Sequence, residues 1–336
     1  QKLLEYAPTS LSRRVKTRLV HAAIAMSNAF DIHPHRLVLK NHLQLCGQDP
    51  VASGSFGDVW KGSCILNGEH VSVKVFRTYQ NGVSSGSKDF TKEAMIWRQL
   101  NHPNVLPFYG VYYLDDARNR LCLVSPWMEE GNVVNYLQRC PSTNRVALAY
   151  DIANGLAYLH GEKVVHGDLK GVNILVSESG KACIGDFGLA SITDVATMYS
   201  RANPSSASSC HGTIRWLAPE VMETGHATER SDIYAFACVL YELFAGHPPF
   251  VEIALDATVM WKVAFQQQRP ARPPSAVLSD AVWQLITRCW AHDFATRPSA
   301  EDALFALRAE LAVTPDAATW DPSIPSRIRA AIEELP

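Results

Sequence analysis

Short runs of apolar and β-branched residues follow the N-terminal extension and fill much of the first third of the chain. Such runs, bounded by glycine, proline and asparagine, are typical of β-strands. Asn67-Gly68 stands between two of them and predicts a tight hairpin turn. One stretch breaks the β pattern, because Phe90, Ala94 and Trp97 recur at helical spacing. We therefore expect a small β-rich region that contains one helix. Its clearest strands are expected at 71–75, 106–113 and 121–124.

Helical periodicity takes over beyond residue 131. The stretch 231–245 is apolar on nearly every side, which predicts a helix buried at the centre of this region. The residues 125–131, Ser-Pro-Trp-Met-Glu-Glu-Gly, interrupt both patterns and predict a linker. The expected fold class is therefore α+β, with a small β-rich lobe and a larger α-helical lobe. The other amphipathic helices are expected at 89–100, 146–160, 280–290 and 300–311.

The two ends of the chain carry weaker patterns. Apolar residues recur every three or four positions from Leu11 to Phe30, while basic residues mostly lie elsewhere on the predicted helix. This helix either packs on the domain that follows, the commoner role of an apolar stripe, or is a regulatory helix that binds a partner or an anionic membrane surface. A last short helix is predicted at 326–335. We expect an N-terminal extension at 1–44, one large domain at 45–311 and a tail at 312–336.

Charge and cysteine content narrow the class of protein. A formal net charge of −2 over 336 residues gives no general attraction to nucleic acid, so we expect no nucleic-acid partner. The eight cysteines are scattered singly, which is typical of reduced thiols in an intracellular protein. We find neither a signal-peptide pattern nor an apolar run of about 18 residues, so no transmembrane segment is expected. These features predict an intracellular, cytoplasmic protein.

Polar residues that suit a cation surround one predicted hairpin. Two apolar tripeptides separated by a short polar stretch predict a β-hairpin over 174–184. Its open end would bring Asn173 and Asp186 together, with Asp168 and Lys170 a few residues upstream. An amide oxygen and carboxylates beside one fixed ammonium suit Mg²⁺ that carries phosphates. The alternative is a hairpin with ordinary polar ends, which would leave these combined spacings to chance.

A second group of residues suits a phosphate-bearing ligand. Gly54 and Gly57 would let the backbone approach a ligand closely and present N–H groups to phosphate oxygens. Lys74 lies within a valine-rich strand, where an unpaired ammonium is costly, so it needs an anion. Glu93 lies beside the apolar stripe of the next helix and could supply that anion. Alternatively, Glu93 is an ordinary surface glutamate.

Taken in order, these motifs resemble those of the eukaryotic protein-kinase family. The resemblance covers about 45–311, and it is specific because six motifs appear in the expected order. It implies a two-lobed protein-kinase fold with an N-lobe at 45–124, a hinge at 125–131 and a C-lobe at 132–311. The motifs are the glycine loop at 52–59, Val-Ser-Val-Lys74, Glu93, His166-Gly-Asp168 with Asn173, Asp186-Phe-Gly188 and Ala218-Pro-Glu220.

The resemblance implies a role for each charged residue on the nucleotide side. Lys74, paired with Glu93, would hold the α- and β-phosphates of ATP. Asp186 and Asn173 would ligate Mg²⁺, for which Mn²⁺ could substitute. ATP and Mg²⁺ are therefore the expected cofactors.

On the acceptor side the resemblance implies two catalytic groups and one structural pair. Asp168 would accept the proton of the substrate hydroxyl. Lys170 would neutralise charge on the phosphoryl group during transfer. Glu220 and Arg297 match the positions of the family's buried ion pair, and losing one partner of such a pair typically costs about 3–5 kcal/mol.

The resemblance also implies an adenine site along the hinge. Adenine would dock against 125–131, with the main chain near Met128 making its hydrogen bonds. Ser125 would guard a deeper pocket, and its small side chain predicts that bulky inhibitors can enter. The residues expected to contact the nucleotide are Ala52, Ser53, Gly54, Ser55, Phe56, Gly57, Val59, Ser72, Lys74, Ser125, Trp127, Met128, Leu175 and Asp186.

Two features favour serine or threonine as the acceptor. Lys170 in Asp-Leu-Lys-Gly-Val-Asn matches the serine/threonine pattern. The residues 212–220 resemble the tyrosine-kinase-like group, most members of which phosphorylate serine and threonine, and Thr213 would line the acceptor site. We therefore expect a protein serine/threonine kinase in intracellular signalling, with protein substrates and a regulatory partner bound through 1–44. The alternative is a pseudokinase that serves as a nucleotide-binding scaffold or a partner-binding module.

Three residues depart from the family pattern. Ala52 replaces the first loop glycine and Ser72 replaces the usual alanine over adenine, but neither change removes a catalytic charge. Gly167 stands where the family usually has an arginine that receives the activation-segment phosphate. The segment 186–220 is nevertheless rich in hydroxyl residues. These are either autophosphorylation sites or the polar residues of a soluble, flexible loop.

Overall fold

The computed structural model describes most of the large domain. The described residues fall into two compact units, of which the first takes those up to His102 and 106–128 and the second takes 103–105 and the residues from Glu129 onward. The predicted helices at 11–30 and 326–335 lie outside the described residues, apart from Ala22. The described residues are 22, 39, 43–53, 57–64, 68–76, 85–114, 120–192, 213–274 and 276–311.

The first unit is built on a six-stranded antiparallel sheet. Its strand order is β1-β3-β4-β6-β5, and β2 pairs with the other end of β3. Gly68, with φ of 72°, donates its N–H to the carbonyl of Cys64 between β3 and β4, as expected of the predicted hairpin. The strands are β1 (Leu43–Leu45), β2 (Ala52–Ser53), β3 (Gly57–Cys64), β4 (His70–Phe76), β5 (Gly110–Tyr113) and β6 (Leu121–Pro126).

The two faces of this sheet differ in chemistry. Val71, Val73 and Val75 alternate along β4 and are buried in a cluster with residues of β5 and β6. Because successive side chains point to opposite faces of a strand, Ser72 and Lys74 lie on the other face. The valine-rich sequence thus anchors the strand through one face and presents polar groups on the other.

Helix α1 (Ser85–Trp97) lies between β4 and β5 in the sequence of the first unit. Phe90, Ala94 and Trp97 are buried, so the predicted stripe is confirmed, and the Trp97 indole donates to the carbonyl of Leu106 at 2.6 Å. The predicted strand at 106–113 is shorter than expected and begins only at Gly110. Pro107 explains the difference, since proline has no N–H to pair in a sheet.

The predicted linker at 125–131 begins too early. Ser125 and Pro126 belong to β6 and pair with Ser72 and Val71 of β4. Proline is tolerated there because β5 pairs with β6 only as far as Val124, so Pro126 lies beside an open edge of the sheet. The division between the two compact units falls after Met128, in the second half of the predicted linker.

The second unit is mainly helical and is organised around one central helix. This helix, α5 (Glu229–Ala245), is buried at every position from Ser231 to Phe244. A capping box between Thr228 and Ser231 begins it, and Gly246, with φ of 77°, ends it. The other helices are α2 (Val133–Arg139), α3 (Arg145–Gly161), α4 (Pro219–Thr224), α6 (Asp256–Ala264), α7 (Asp280–Cys289) and α8 (Ala300–Ala309).

Two small β-ribbons and three 3₁₀ turns complete the described part of the second unit. Strand β7 (Val164–Val165) pairs with β10 (Ser191–Ile192), and β8 (Ile174–Val176) pairs with β9 (Ala182–Ile184). The second of these ribbons is the predicted hairpin, which is confirmed with its expected strands. The 3₁₀ turns are Gly171–Asn173, Ile214–Trp216 and Phe294–Thr296.

Two predictions from composition can be compared with the described residues. The seven cysteines among them are all free. Across this same part of the chain, no helix is long and apolar enough to cross a membrane.

Candidate active site

The first unit pairs Lys74 with Glu93, as the sequence predicted. The Nζ atom of Lys74 lies 2.9 Å from Oε1 of Glu93, and the two side chains are 14% and 1% exposed. Strand β4 holds the lysine through its buried valines, and the apolar stripe of α1 turns the glutamate inward. The alternative of a solvated surface glutamate is wrong, because helix α1 buries this residue.

The face of the sheet that carries Lys74 also carries other residues expected to contact the nucleotide. The strand register places Val59 opposite Lys74 and Ser72 opposite Ser125. Residues directly opposite one another in an antiparallel pair point to the same face, so these four side chains share it. Ser125 is buried, which agrees with a position at the back of this face.

The remaining residues expected at the nucleotide are distributed over both units. Ala52 and Ser53 form β2, Gly57 begins β3, and Gly54, Ser55 and Phe56 lie outside the described residues. Met128 is buried, and Nζ of Lys61 lies 5.2 Å from the centre of the Trp127 ring. Leu175 is in the second unit, in β8, opposite Cys183.

The second unit brings Asp168, Lys170 and Asn173 together. Nζ of Lys170 donates to Oδ2 of Asp168 at 2.8 Å and to the hydroxyl of Thr213 at 3.0 Å. The amide nitrogen of Asn173 donates to the main-chain carbonyl of Asp168 at 2.8 Å and to Oδ2 at 3.2 Å. Because this nitrogen faces Asp168, the amide oxygen of Asn173 is the atom left to bind a cation.

One carboxylate oxygen of Asp168 has no hydrogen-bond partner among the described residues. The residue is 4% exposed, and its Oδ1 atom accepts no hydrogen bond from any described group. A buried carboxylate oxygen without a partner is uncommon and calls for an explanation such as catalysis. An oxygen with unused acceptor capacity can take a hydrogen bond, and then a proton, from an incoming hydroxyl group.

Asp186 lies at the same end of the β8–β9 hairpin as Asn173, as predicted. The N–H of Gly185 donates to the carbonyl of Asn173 at 2.9 Å and ties the two ends together. Asp186 has φ of 61°, a left-handed conformation that is strained for most residues but tolerated by aspartate. The surrounding contacts hold this conformation: the His166 ring bonds the carbonyl of Gly185 at 2.9 Å and meets the Phe187 ring edge-on.

Asp232, at the start of the central helix, fixes the main chain before Asp168. Its carboxylate accepts the N–H groups of His166 and Gly167 at 2.8 and 2.9 Å, and Nε2 of His160 at 3.0 Å. The residue is 1% exposed, so these bonds form with little competition from water. The most buried helix of the unit therefore supports the loop that carries Asp168.

Comparison with known proteins decides the family. The sequence profile described as protein tyrosine and serine/threonine kinase matches residues 45–307, which is more than half of the chain. The chain belongs to this kinase family. Its α+β architecture is accordingly the two-lobed kinase fold, as the sequence predicted.

Several curated relatives are kinases by name. The chain is 32% identical to serine/threonine-protein kinase STY46 of Arabidopsis thaliana over 74% of its own length and 41% of that protein. It is also 32% identical to cell division control protein 7 of Schizosaccharomyces pombe, over 73% of the chain and 22% of the relative. The dual specificity protein kinase pyk3 of Dictyostelium discoideum is 32% identical over 76% of the chain and 18% of the relative. The chain thus spans less than half the length of these relatives.

Kinases of this family use ATP and Mg²⁺ and act on protein substrates, and the residues described above fit such ligands. Within the described ranges, no group of three His, Cys, Asp or Glu side chains could hold a metal ion. A cation at Asn173 and Asp186 would therefore need further oxygen ligands, such as phosphates and water. That is how Mg²⁺ is usually bound beside a nucleotide.

The kinase resemblance also correctly predicted the ion pair between Glu220 and Arg297. Two guanidinium nitrogens of Arg297 contact the two carboxylate oxygens of Glu220 at 2.6 and 2.8 Å. Arg297 is 2% exposed, and its guanidinium lies over the Tyr234 ring at 5.2 Å. This pair joins the start of α4 to the loop before α8.

The backbone conformation of Gly167 gives this glycine a second role that the sequence did not indicate. The sequence identified it by the arginine it replaces, whereas its backbone has φ of 79°, a conformation that side chains rarely adopt. A Cβ atom added here would lie 3.1 Å from the carbonyl oxygen of Leu189. The glycine thus also suits the backbone geometry beside Asp168.

Sequence reasoning missed two groups of buried polar residues in the kinase. Asn104 and Asp151 bond the carbonyl and the N–H of Ala182, and so cover the free edge of β9. Glu242 lies in the central helix, where burial raises the pKa of its carboxyl group to about 7. The sequence did contain a sign of Glu242, because it is a charged residue within a mostly apolar helix. No sequence pattern indicated the hydrogen bonds of Asn104 and Asp151 to the edge of β9.

Proposed function

We propose that this chain is an Mg·ATP-dependent protein serine/threonine kinase that transfers the γ-phosphate of ATP to hydroxyl groups of protein substrates in intracellular signalling. The observation that carries the proposal is the buried Oδ1 atom of Asp168, which accepts no hydrogen bond from a described residue and lies beside an ammonium group that bridges to Thr213. A scaffold that only binds nucleotide has no use for a buried, unpaired acceptor oxygen.

Asp168 and Lys170 would carry the transfer itself. The substrate hydroxyl donates a hydrogen bond to Oδ1 of Asp168, attacks the γ-phosphorus, and passes its proton to this carboxylate as ADP leaves. Lys170, held 2.8 Å from Oδ2 of Asp168, would offset negative charge on the phosphoryl group. Thr213 would line the acceptor site, because its hydroxyl accepts a hydrogen bond from the same ammonium.

Lys74, paired with Glu93, would hold the α- and β-phosphates of ATP. Because Glu93 is almost fully buried, it holds the ammonium of Lys74 in one position. The glycine loop at 52–59 would supply backbone N–H groups to the phosphates. The side chains proposed around the adenine and ribose are Val59, Ser72, Ser125, Trp127, Met128 and Leu175.

Asn173 and Asp186 would hold Mg²⁺, with Mn²⁺ as a substitute. The cation, when bound, neutralises phosphate charge and orients the γ-phosphate. The left-handed backbone at Asp186 and the bond between Gly185 and Asn173 fix the two ligand-bearing residues relative to each other.

The preference for serine and threonine is supported by the sequence around Lys170 and by the relatives. Two of the relatives, STY46 and STY17 of Arabidopsis thaliana, are serine/threonine-protein kinases by name, while pyk3 is named a dual specificity kinase. Tyrosine is therefore the second acceptor to test.

We extend the proposal to the organisation and location of the chain. The catalytic domain would occupy 45–311, with 1–44 as a regulatory extension that binds a protein partner and 312–336 as a tail. The match of the family profile to 45–307 supports these limits. The free cysteines of the described residues support an intracellular, cytoplasmic location.

The proposal is tested by transfer of labelled phosphate from γ-³²P-ATP with Mg²⁺ to a generic acceptor protein. We expect transfer by the wild type and a loss of at least about a hundredfold in Asp168→Asn, because the general base is removed. Asp280→Asn is the matched control, since Asp280 is 82% exposed at the start of α7. Equal incorporation by the wild type and Asp168→Asn would refute the role of Asp168. Nucleotide binding without transfer by the wild type would indicate a pseudokinase.

A further inference from the structure

Glu242 is a buried carboxylate that the proposed reaction does not use. It lies in the last turn of the central helix α5, and the residue is 6% exposed. Burial raises the pKa of its carboxyl group to about 7, and hydrogen bonds from Gly171 and Trp216 partly oppose that rise. A glutamate with this pKa changes its charge near neutral pH.

The carboxylate joins two separate segments of the second unit. Its Oε2 atom accepts the main-chain N–H of Gly171 at 3.0 Å and the indole N–H of Trp216 at 3.1 Å. The contact with Gly171 is close, because a Cβ atom built on this glycine would lie 2.5 Å from Oε2. A side chain at residue 171 would therefore displace the carboxylate from its two donors.

The two segments that Glu242 joins are those that carry the proposed acceptor site. Gly171 follows Lys170 directly, and Trp216 ends the 3₁₀ turn that begins after Thr213. Lys170 and Thr213 are also bonded to each other, at 3.0 Å between Nζ and the hydroxyl oxygen. The same two segments are thus tied twice, once at the acceptor site and once through Glu242.

We propose that Glu242 is a positioning residue whose ionised carboxylate holds the segment after Thr213 against the loop that carries Asp168 and Lys170, and whose protonation weakens this tie and slows phosphate transfer. The inference rests on the proposed function. An ionised carboxylate accepts stronger hydrogen bonds than a protonated one, and it can accept both N–H groups without turning a proton towards either.

The groups around Glu242 leave its charge uncompensated by a direct partner. Neither Gly171 nor Trp216 is ionisable, and no ion pair to Glu242 occurs within the described part of the chain. The thiol of Cys238, one turn earlier on the same helix, has a pKa raised by burial and stays neutral. Charged or titratable residues on segments that pack against this helix include Arg139, Arg145, Asp151, His160, Asp168, Lys170, Arg215, Arg269, Asp280, Arg288 and Arg297.

The pH profile of kcat separates this role from a merely structural one. The experiment compares the wild type with Glu242→Gln, which keeps the shape and one acceptor oxygen but cannot ionise. We expect the ratio of wild-type to variant kcat to rise by about fivefold between pH 6 and pH 8, the effect of roughly one stronger hydrogen bond. Glu301→Gln, an exposed change on α8, is the matched control and should leave this ratio constant.

A second variant and a direct readout keep the test independent of how well Glu242→Gln folds. Trp216→Phe removes one hydrogen-bond donor to the carboxylate of Glu242. The midpoint of the pH profile of kcat should therefore lie at higher pH in this variant than in the wild type. In the wild type, the ¹H–¹⁵N resonance of the Trp216 indole should titrate near pH 7, and Trp216→Phe identifies that resonance. An indole resonance that does not change between pH 6 and pH 8 would overturn the proposal.

The outcomes distinguish this inference from the proposed function. A wild type that transfers phosphate with a kcat ratio to Glu242→Gln that is constant with pH would overturn the role of Glu242 alone. A wild type that transfers no phosphate at any pH, like Asp168→Asn, would overturn the proposed function. The titration of the Trp216 indole resonance would still decide whether the Glu242 carboxyl group beside it ionises near pH 7.

Discussion

At the scale of single residues, the site depends on charged groups whose positions are fixed by buried neighbours. Lys74 is held by Glu93, and Asp168 is held between Lys170 and Asn173. In each case one partner is almost fully buried, so the pair forms with little competition from water. Removal of either partner would leave a charge without compensation, which is costly in a protein interior.

Gly167 provides a prediction at this scale. Gly167→Ala should destabilise the domain by about 1–2 kcal/mol, because an alanine in a left-handed conformation is strained. The nearby Leu189 carbonyl, 3.1 Å from the added Cβ, should also shift the loop that carries Asp168 and lower phosphate transfer. Thermal unfolding and kcat measure the two effects.

Gly246→Ala is the matched control for that change. Gly246 has a similar φ of 77°, and a Cβ atom there meets nothing within 4 Å. The Gly246→Ala variant should therefore lose about as much unfolding free energy as Gly167→Ala but keep the kcat of the wild type. Equal kcat values for Gly167→Ala and the wild type would contradict the proposed effect on the loop.

At the scale of elements, the hairpin that carries Asn173 and Asp186 depends on contacts beyond its own two strands. Its edge strand β9 is covered by Asn104 and Asp151, which bond both polar main-chain groups of Ala182. Asn104 is in turn packed against helix α3, where Gly155 leaves room for its carbonyl. The helix, the loop and the strand thus form one support for the proposed metal site.

Gly155→Ala tests this support. Alanine normally stabilises a helix interior by up to about 1 kcal/mol relative to glycine. Here the added Cβ would lie 2.5 Å from the carbonyl oxygen of Asn104, so we expect a loss of about 1–3 kcal/mol instead. Gly161→Ala, at the end of the same helix and with nothing within 4 Å, should be neutral or stabilising. A stabilised Gly155→Ala variant would show that Asn104 moves aside freely.

The elements also show what the sequence could and could not predict. The hairpin over 174–184, the central helix and the pair of Lys74 with Glu93 follow from local patterns, because alternation and helical spacing determine which side chains are buried. The end of β6 was misjudged, since Pro126 reads as a break but is accommodated at the last position of a strand. The edge bonds to Ala182 and the tie through Glu242 could not be predicted, because their partners are distant in sequence.

At the scale of the whole molecule, Glu242 links stability to pH. Its pKa is about 7 in the folded chain, against 4.5 for an unperturbed glutamate, so between these values the folded state binds the proton that the unfolded state has released. The free energy of unfolding therefore falls as pH rises through this range. One unit of pKa is about 1.4 kcal/mol, so the loss amounts to about 3 kcal/mol and is complete above pH 7.

Glu242→Gln removes this dependence. Its unfolding free energy relative to the wild type should rise between pH 5 and pH 8 by up to about 3 kcal/mol, as measured by chemical denaturation at each pH. Glu301→Gln should show a constant difference from the wild type over the same range, since Glu301 is exposed. A constant difference for Glu242→Gln as well would mean that Glu242 is ionised in the folded state throughout.

The central claim is that this kinase domain transfers phosphate to serine and threonine through Asp168. It is tested most directly by mass spectrometry of an acceptor protein incubated with Mg·ATP and the wild type, Asp168→Asn or Asp280→Asn. We predict phosphorylated serine and threonine with the wild type and with Asp280→Asn, and none above background with Asp168→Asn. Equal phosphorylation by Asp168→Asn, or no phosphorylation by a wild type that binds Mg·ATP, would contradict the claim.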